Sequence, residues 1–177
     1  MPYEIPSIQG WMGSNEMYWL NTMAQAMTSI VEIGSWKGRS THALLSGCPG
    51  PVFAVDHFKG NPNELEPDMA HHEAVTGDIF SQFWLNVGSF KNLVVLRMPS
   101  VEAAKFFAPA SVDMVFIDGY HIKEAVLEDL RSWFPKCRRL MCGHDVSYSS
   151  VQGALNEFGQ KHETVPNHGL WRIDVNM

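Results

Sequence analysis

Short β-branched or apolar runs recur along the chain, at Ile30–Ile33, Val52–Val55, Leu93–Leu96, Val112–Ile117 and Leu140–Cys142. Between them lie segments whose apolar side chains fall at three- or four-residue steps: Ser14–Thr28, Arg39–Leu45, His71–Val87, Val101–Phe107, Lys123–Phe134 and Val151–Lys161. In the first of these Ser14 is the expected N-cap, and Met17, Leu20, Ala24 and Met27 mark the buried stripe. Such alternation predicts an α/β fold, a mostly parallel sheet with helices on both faces, a three-layer Rossmann-like sandwich. Right-handed crossovers then place the carboxyl ends of the parallel strands on one edge, where open α/β sheets bind ligands. The residues that follow each strand are therefore the ones to read for chemistry. The tail, Glu163–Val165 and Leu170–Val175 around Pro166-Asn167-His168-Gly169, predicts a closing β-hairpin.

Length and composition narrow the partners. At 177 residues, 45% of them hydrophobic, the chain is expected to form one domain, residues 1–177, with a sizeable core. A formal net charge of −6 argues against nucleic acid as a partner, since phosphate binding wants clustered cations. The one short basic cluster, Lys136, Arg138 and Arg139, reads as a solvated strand entrance. Cys48, Cys137 and Cys142 have no metal-ligand spacing, which fits a reduced, cytoplasmic setting. No apolar stretch reaches the ~20 residues of a membrane span, so no membrane partner is expected.

The first strand ends in Val31-Glu32-Ile33-Gly34-Ser35-Trp36-Lys37-Gly38-Arg39-Ser40. Gly34 and Gly38 bracket a turn into a helix, where bare backbone can approach a ligand and the helix N-terminus favours an anion. The spacing is neither the dinucleotide fingerprint nor a P-loop. Asp56 ends the second strand, about 20 residues on, where a carboxylate can accept the ribose hydroxyls of an adenosine cofactor. Capping of the next turn is the alternative. Asp118 and Asp145 follow the later strands, with His121 and His144 beside them. Two carboxylates on one crevice can share a divalent cation, Mg²⁺ or another, and an imidazole can act as general base. Alternatively, Asp118 only positions a cofactor ammonium and His144 is a hydrogen-bonded core residue. The paired His71 and His72 point about 100° apart on a helix and read as a solvated face. Trp11, Trp19 and Trp36 are expected either to line a pocket or to fill the core, and the polar Lys59–Asp68 loop is a candidate substrate loop.

The glycine loop followed by a strand ending in Asp resembles class I S-adenosylmethionine-dependent methyltransferases. The stretches Phe116-Ile117-Asp118-Gly119-Tyr120-His121, Glu128-Asp129-Leu130, Gly143-His144-Asp145-Val146 and Val151-Gln152-Gly153-Ala154-Leu155 are similar to a small family, methyltransferase family 24, related to catechol-type and sugar O-methyltransferases. The resemblance runs from about Trp11 to the C-terminus and implies a seven-stranded sheet whose C-terminal strand is antiparallel. It implies S-adenosylmethionine as cofactor, with Glu32 and Gly34 at its methionine end. Ser35, Trp36, Gly38 and Ser40 would be further contacts, Asp56 would take the ribose, and His57, Phe58 and Ser100 would flank the adenine. It implies Asp118 as a cofactor and metal residue, Asp145 as a metal and catalytic residue, and His121 and His144 as catalytic candidates. The catechol-type enzymes carry a further acidic or amide ligand after the second Asp, where this chain has Val146, so His121 or His144 would have to complete a metal site. The implied reaction is O-methylation of a small hydroxylated acceptor. The acceptor site would come from the N-terminal segment, the Lys59–Asp68 loop, the region after Asp145 or a neighbouring subunit of a homo-oligomer. An NAD-type oxidoreductase and a non-catalytic cofactor-binding module are the rival readings.

Overall fold

A computed structural model describes residues 3–61 and 69–175, with the backbone alone at 69–72. The elements run α1 (Ser14–Gln25), β1 (Ile30–Ile33), α2 (Arg39–Gly47), β2 (Val52–Val55), α3 (Met69–Thr76), α4 (Ile79–Val87), β3 (Leu93–Leu96), α5 (Ser100–Ala104), β4 (Val112–Ile117), α6 (Lys123–Trp133), β5 (Cys137–Gly143), α7 (Ser149–Phe158), β6 (Glu163–Thr164) and β7 (Trp171–Asp174). They build a seven-stranded sheet in the order β3-β2-β1-β4-β5-β7-β6. β1 to β5 are parallel, and β7 runs antiparallel between β5 and β6.

Side-chain alternation along the strands feeds two cores. Ile30, Val52, Met114, Phe116 and Leu140 face α1, α2 and α4, where Met17, Leu20, Leu44 and Phe83 meet them. Val31, Val115, Ile117 and Met141 face α5, α6 and α7, against Leu130, Trp133 and Leu155. The six residues of β4 are all buried, as a central strand covered on both faces must be. Strand order reverses between β1 and β4, so a crevice opens outside their carboxyl ends.

Several local expectations are corrected. The N-cap of α1 is Gly13, not Ser14: the Glu16 carboxylate reaches back to accept from Gly13 N at 2.7 Å. The helix stops at Gln25, and Thr28 instead gives its N–H and hydroxyl to Asp113 Oδ2, at 2.8 and 2.7 Å. The single helix expected over His71–Val87 is two helices. Gly77 ends the first, and Asp78 caps the second by accepting from Ser81 N at 3.0 Å. The helix expected over Val101–Phe107 starts and ends earlier, at Ser100 and Ala104. The basic cluster is not simply solvated, because Arg138 pairs with buried Asp113 at 2.5 Å and Arg139 donates to Ala26 O at 2.6 Å. Most of the Lys59–Asp68 loop, residues 62–68, and the side chains of His71 and His72 lie outside the described residues.

Candidate active site

The turn after β1 is built around left-handed backbone. Gly34 has φ +84°, and a Cβ there would stand 2.1 Å from the Asp118 carbonyl oxygen, so only glycine lets the ends of β1 and β4 meet. Gly38 has φ +89°, but a Cβ there would meet Phe83 and Val87 at 3.2 Å. Its absence of side chain serves the packing of α2 on α4, and Gly38 does not line the crevice. Glu32 is fully buried beneath the loop. Its Oε2 accepts from Ser35 Oγ at 2.7 Å and Thr41 Oγ1 at 2.5 Å, whereas Oε1 is buried without a partner. Burial pushes the Glu32 carboxyl up to about 7, against the hydroxyls of Ser40, Thr41 and Ser35. Glu32, expected at a cofactor's methionine end, braces the loop from below and does not line the cleft wall.

The ends of β2 and β3 supply the next wall. Asp56 Oδ2 accepts from Ser35 N at 3.0 Å and Trp36 N at 2.9 Å, and Oδ1 from Phe58 N at 2.6 Å. The carboxylate thus caps two turns. It still faces the cleft, where Oδ1 keeps one lone pair while both of Oδ2 are taken. His57 lines the cleft and takes Lys59 N on Nδ1 at 3.0 Å. Phe58 is 6% exposed and packs on Phe80 and Phe83, so it is core as well as wall. The Ser100 hydroxyl donates to Asp129 Oδ1 at 2.5 Å and accepts from Trp133 Nε1 at 2.8 Å. Its contact with a ligand is correspondingly limited.

These walls enclose a cleft of about 870 Å³, within the usual size of a small-ligand site. Gly34–Trp36, Asp56–Phe58, Met98–Val101 and Asp118–His121 form its floor, with Ala125, Glu128 and Asp129 of α6 beneath. Its far side comes from His144, Asp145 and Ser147–Ser149, and its near rim from Gly10–Met12. Arg39 fixes that rim by donating from Nε to Met12 O at 2.9 Å and from a guanidinium nitrogen to Ile8 O at 2.7 Å. Trp11, 60% exposed, lies 4.5 Å centroid to centroid from Trp36, whose indole Nε1 is buried without a partner. Trp19, by contrast, packs against the core.

At the ends of β4 and β5 two carboxylates and two imidazoles converge. His121 Nε2 is 3.0 Å from Asp145 Oδ2 and 3.7 Å from Asp118 Oδ1. His144 Nδ1 is 3.2 Å from Asp145 Oδ2 and 3.8 Å from Asp118 Oδ1. The other nitrogen of His144 faces Glu16 Oε1 at 3.3 Å, and the same oxygen accepts Gly169 N at 2.7 Å. Burial opposes the His144 imidazolium, but Asp118, Asp145 and Glu16 push its pKa up to about 9. Burial likewise works to raise the Asp145 carboxyl, yet hydrogen bonds from His121 and His144 hold it well below the usual range. Carboxylates therefore stand against both ring nitrogens of His144 and favour its imidazolium, so the ring is clamped between Asp145 and Glu16. Asp118, His121 and Asp145 each present a ligand atom within 4.8 Å of the others, a set able to hold a metal ion.

Two residues of the site have no role assigned from the sequence. Glu16 stands 128 positions before His144, and only the docking of α1 brings them together. Asp129 belongs to a stretch that shares the family pattern, but nothing in its spacing shows that its carboxylate faces the cleft.

Known proteins share this fold. A family model described as a methyltransferase domain matches residues 31–146. Among solved structures, a Corynebacterium glutamicum protein has 14% identity and a TM-score of 0.66, covering 93% of this chain and 82% of its own. Cofactor-bound Rv0187 from MTB has 19% identity and a TM-score of 0.63, covering 97% and 84%. An O-methyltransferase from Bacillus cereus, in complex with SAH, has 16% identity and a TM-score of 0.59, covering 97% and 84%. At these identities the likeness is one of fold. No curated protein matches the chain by sequence.

Proposed function

Because the chain belongs to the methyltransferase-domain family, we propose that it is an S-adenosylmethionine-dependent O-methyltransferase acting on a small hydroxylated acceptor with the help of a divalent cation. The observation that carries this reading is one cleft in which a side-chain-free turn at Gly34, the strand-end carboxylate of Asp56 and the Asp118–His121–Asp145 cluster all face the same space. When bound, S-adenosylmethionine supplies an electrophilic methyl group, and a divalent cation supplies Lewis acidity to an acceptor oxygen.

The chain's own residues do the rest. Asp56 would offer its remaining Oδ1 lone pair to a ribose hydroxyl, and the Gly34 turn, which lines the cleft beside Asp118, would take the methionine end. Asp118, His121 and Asp145 would hold the cation. Two carboxylates favour Mg²⁺, and the imidazole extends the fit to Mn²⁺ and similar ions. With its nitrogen at the cluster spent as a ligand, His121 would leave loss of the acceptor's proton, eased by the cation's Lewis acidity, to solvent. His144, clamped between Asp145 and Glu16, holds the Asp145 carboxylate in place. Trp11 and Trp36 cover the rim, where they exclude water and hold the acceptor in line; positioning of this kind supplies much of the rate of a bimolecular transfer.

The test is calorimetric titration of metal-stripped protein with S-adenosylmethionine, repeated with Mg²⁺ and with NADH. Binding of S-adenosylmethionine but not NADH is expected, with additional heat when the metal is present. Absence of S-adenosylmethionine binding under both conditions refutes the reading.

A further inference from the structure

Asp129 sits on the second turn of α6, 6% exposed, in the wall of the cleft. Its Oδ1 takes the Ser100 hydroxyl at 2.5 Å, and Trp133 Nε1 locks that hydroxyl by donating to it at 2.8 Å. Among the described residues no hydrogen bond or ion pair reaches Oδ2, and the neighbouring Glu128 carboxylate adds like charge. Oδ2 lies 3.9 Å from where a Cβ on Gly119 would stand, so it points toward the end of β4 and the cleft floor. A buried carboxylate held in one orientation, with a spare oxygen on a ligand cleft and no cation beside it, calls for a donor from the ligand.

The surroundings say what kind of donor. On the adjoining strand end Asp56 faces the same cleft as the ribose acceptor, and the space beyond it is bounded by Met98, Pro99 and Ser100 after β3. Met98 and Pro99 offer no strong side-chain acceptor, and the Ser100 hydroxyl is committed. The part of an adenosine ligand that extends past the ribose is the base, and its far edge carries an exocyclic amine. We propose that Asp129 Oδ2 accepts the 6-amino group of adenine and so selects a 6-amino purine over a 6-oxo purine. This rests on the S-adenosyl reading above and adds to it the residue that reads the base.

The experiment compares calorimetric affinities for S-adenosyl-L-homocysteine and S-inosyl-L-homocysteine, in which a carbonyl oxygen replaces the amine and would face the carboxylate. The wild type is expected to prefer the adenosyl ligand by at least about tenfold, as a site that loses a hydrogen bond and gains a lone-pair clash should. Asp129→Asn keeps an acceptor for Ser100 and presents an amide N–H to the carbonyl, so the preference is expected to collapse or invert. Asp129→Ser, which removes the carboxylate, serves if the first variant does not fold. Equal binding of both ligands by the wild type, or a ratio unchanged in a folded variant, overturns the role of Asp129 while leaving the cofactor reading intact. Binding of neither ligand by the wild type refutes the cofactor reading itself.

Discussion

Glu32→Gln tests whether the glycine loop rests on a carboxyl group that prefers to be neutral. Burial raises the Glu32 pKa from 4.5 to about 7, so the folded state binds its proton more tightly than the unfolded chain does. The contribution of this group to stability is fully present below 4.5 and is lost as pH rises to about 7, beyond which nothing more is lost. The shift corresponds to on the order of 3 kcal/mol across that window. Gln cannot ionise, so the slope should vanish in the variant. Gln keeps an oxygen for Ser35 and Thr41 and puts an amide where Oε1 now lacks a partner, at a pH-independent cost of about 1–3 kcal/mol. Urea unfolding of both proteins from pH 4.5 to 8 is the assay. Wild type minus variant should fall by a few kcal/mol over the range, with the variant gaining on the wild type as pH rises. A difference curve flat across this interval would show that Glu32 stays ionised, and the account of the loop's support would be wrong.

Three further outcomes follow from the site. Gly34→Ala forces a Cβ onto the Asp118 carbonyl at positive φ, so it should lower the melting temperature measured by circular dichroism and abolish S-adenosylmethionine binding; an unperturbed melt with intact binding contradicts the close approach. Asp56→Ala should weaken S-adenosylmethionine by about 10–100-fold, through lost ribose contacts and a loop that loses its anchors at Ser35 and Trp36; calorimetry showing unchanged affinity sinks both roles. Asp145→Asn suits the left-handed backbone at φ 57° and should remove the Mg²⁺- or Mn²⁺-dependent heat while leaving S-adenosylmethionine affinity within about threefold. Metal binding undiminished in that variant would place the cation elsewhere.

The strands were legible because apolar runs bounded by turns have few other ways to fold, and a run such as Val112–Ile117 is apolar but for Asp113. The strand-end residues Gly34, Asp56, Asp118 and Asp145 were legible for a related reason, since a parallel sheet sends every strand's end to one edge. What was lost is what depends on contacts across the chain. Glu32 occupies a motif position yet faces inward, because Ser35, Ser40 and Thr41 turn their hydroxyls beneath the loop. The break at Gly77 and Asp78 was hidden by an apolar stripe that continues on both sides of it. Glu16 and Asp145 stand on the two nitrogens of His144, a setting that no spacing in the sequence announces. A free imidazole and a clamped one read identically in sequence.

The bond from Gly169 N to Glu16 joins residues 153 positions apart. Through Glu16 it also touches the imidazole that faces Asp145. Such distant closures form slowly, since a long intervening loop must be ordered first. A chain emerging from a ribosome can therefore pair β1 with β2 early, but His144 acquires its final setting only when the closing hairpin docks on the first helix. Ligand binding would then be among the last properties the maturing molecule acquires, and in pulse-labelled refolding it should lag behind protection of the central strands.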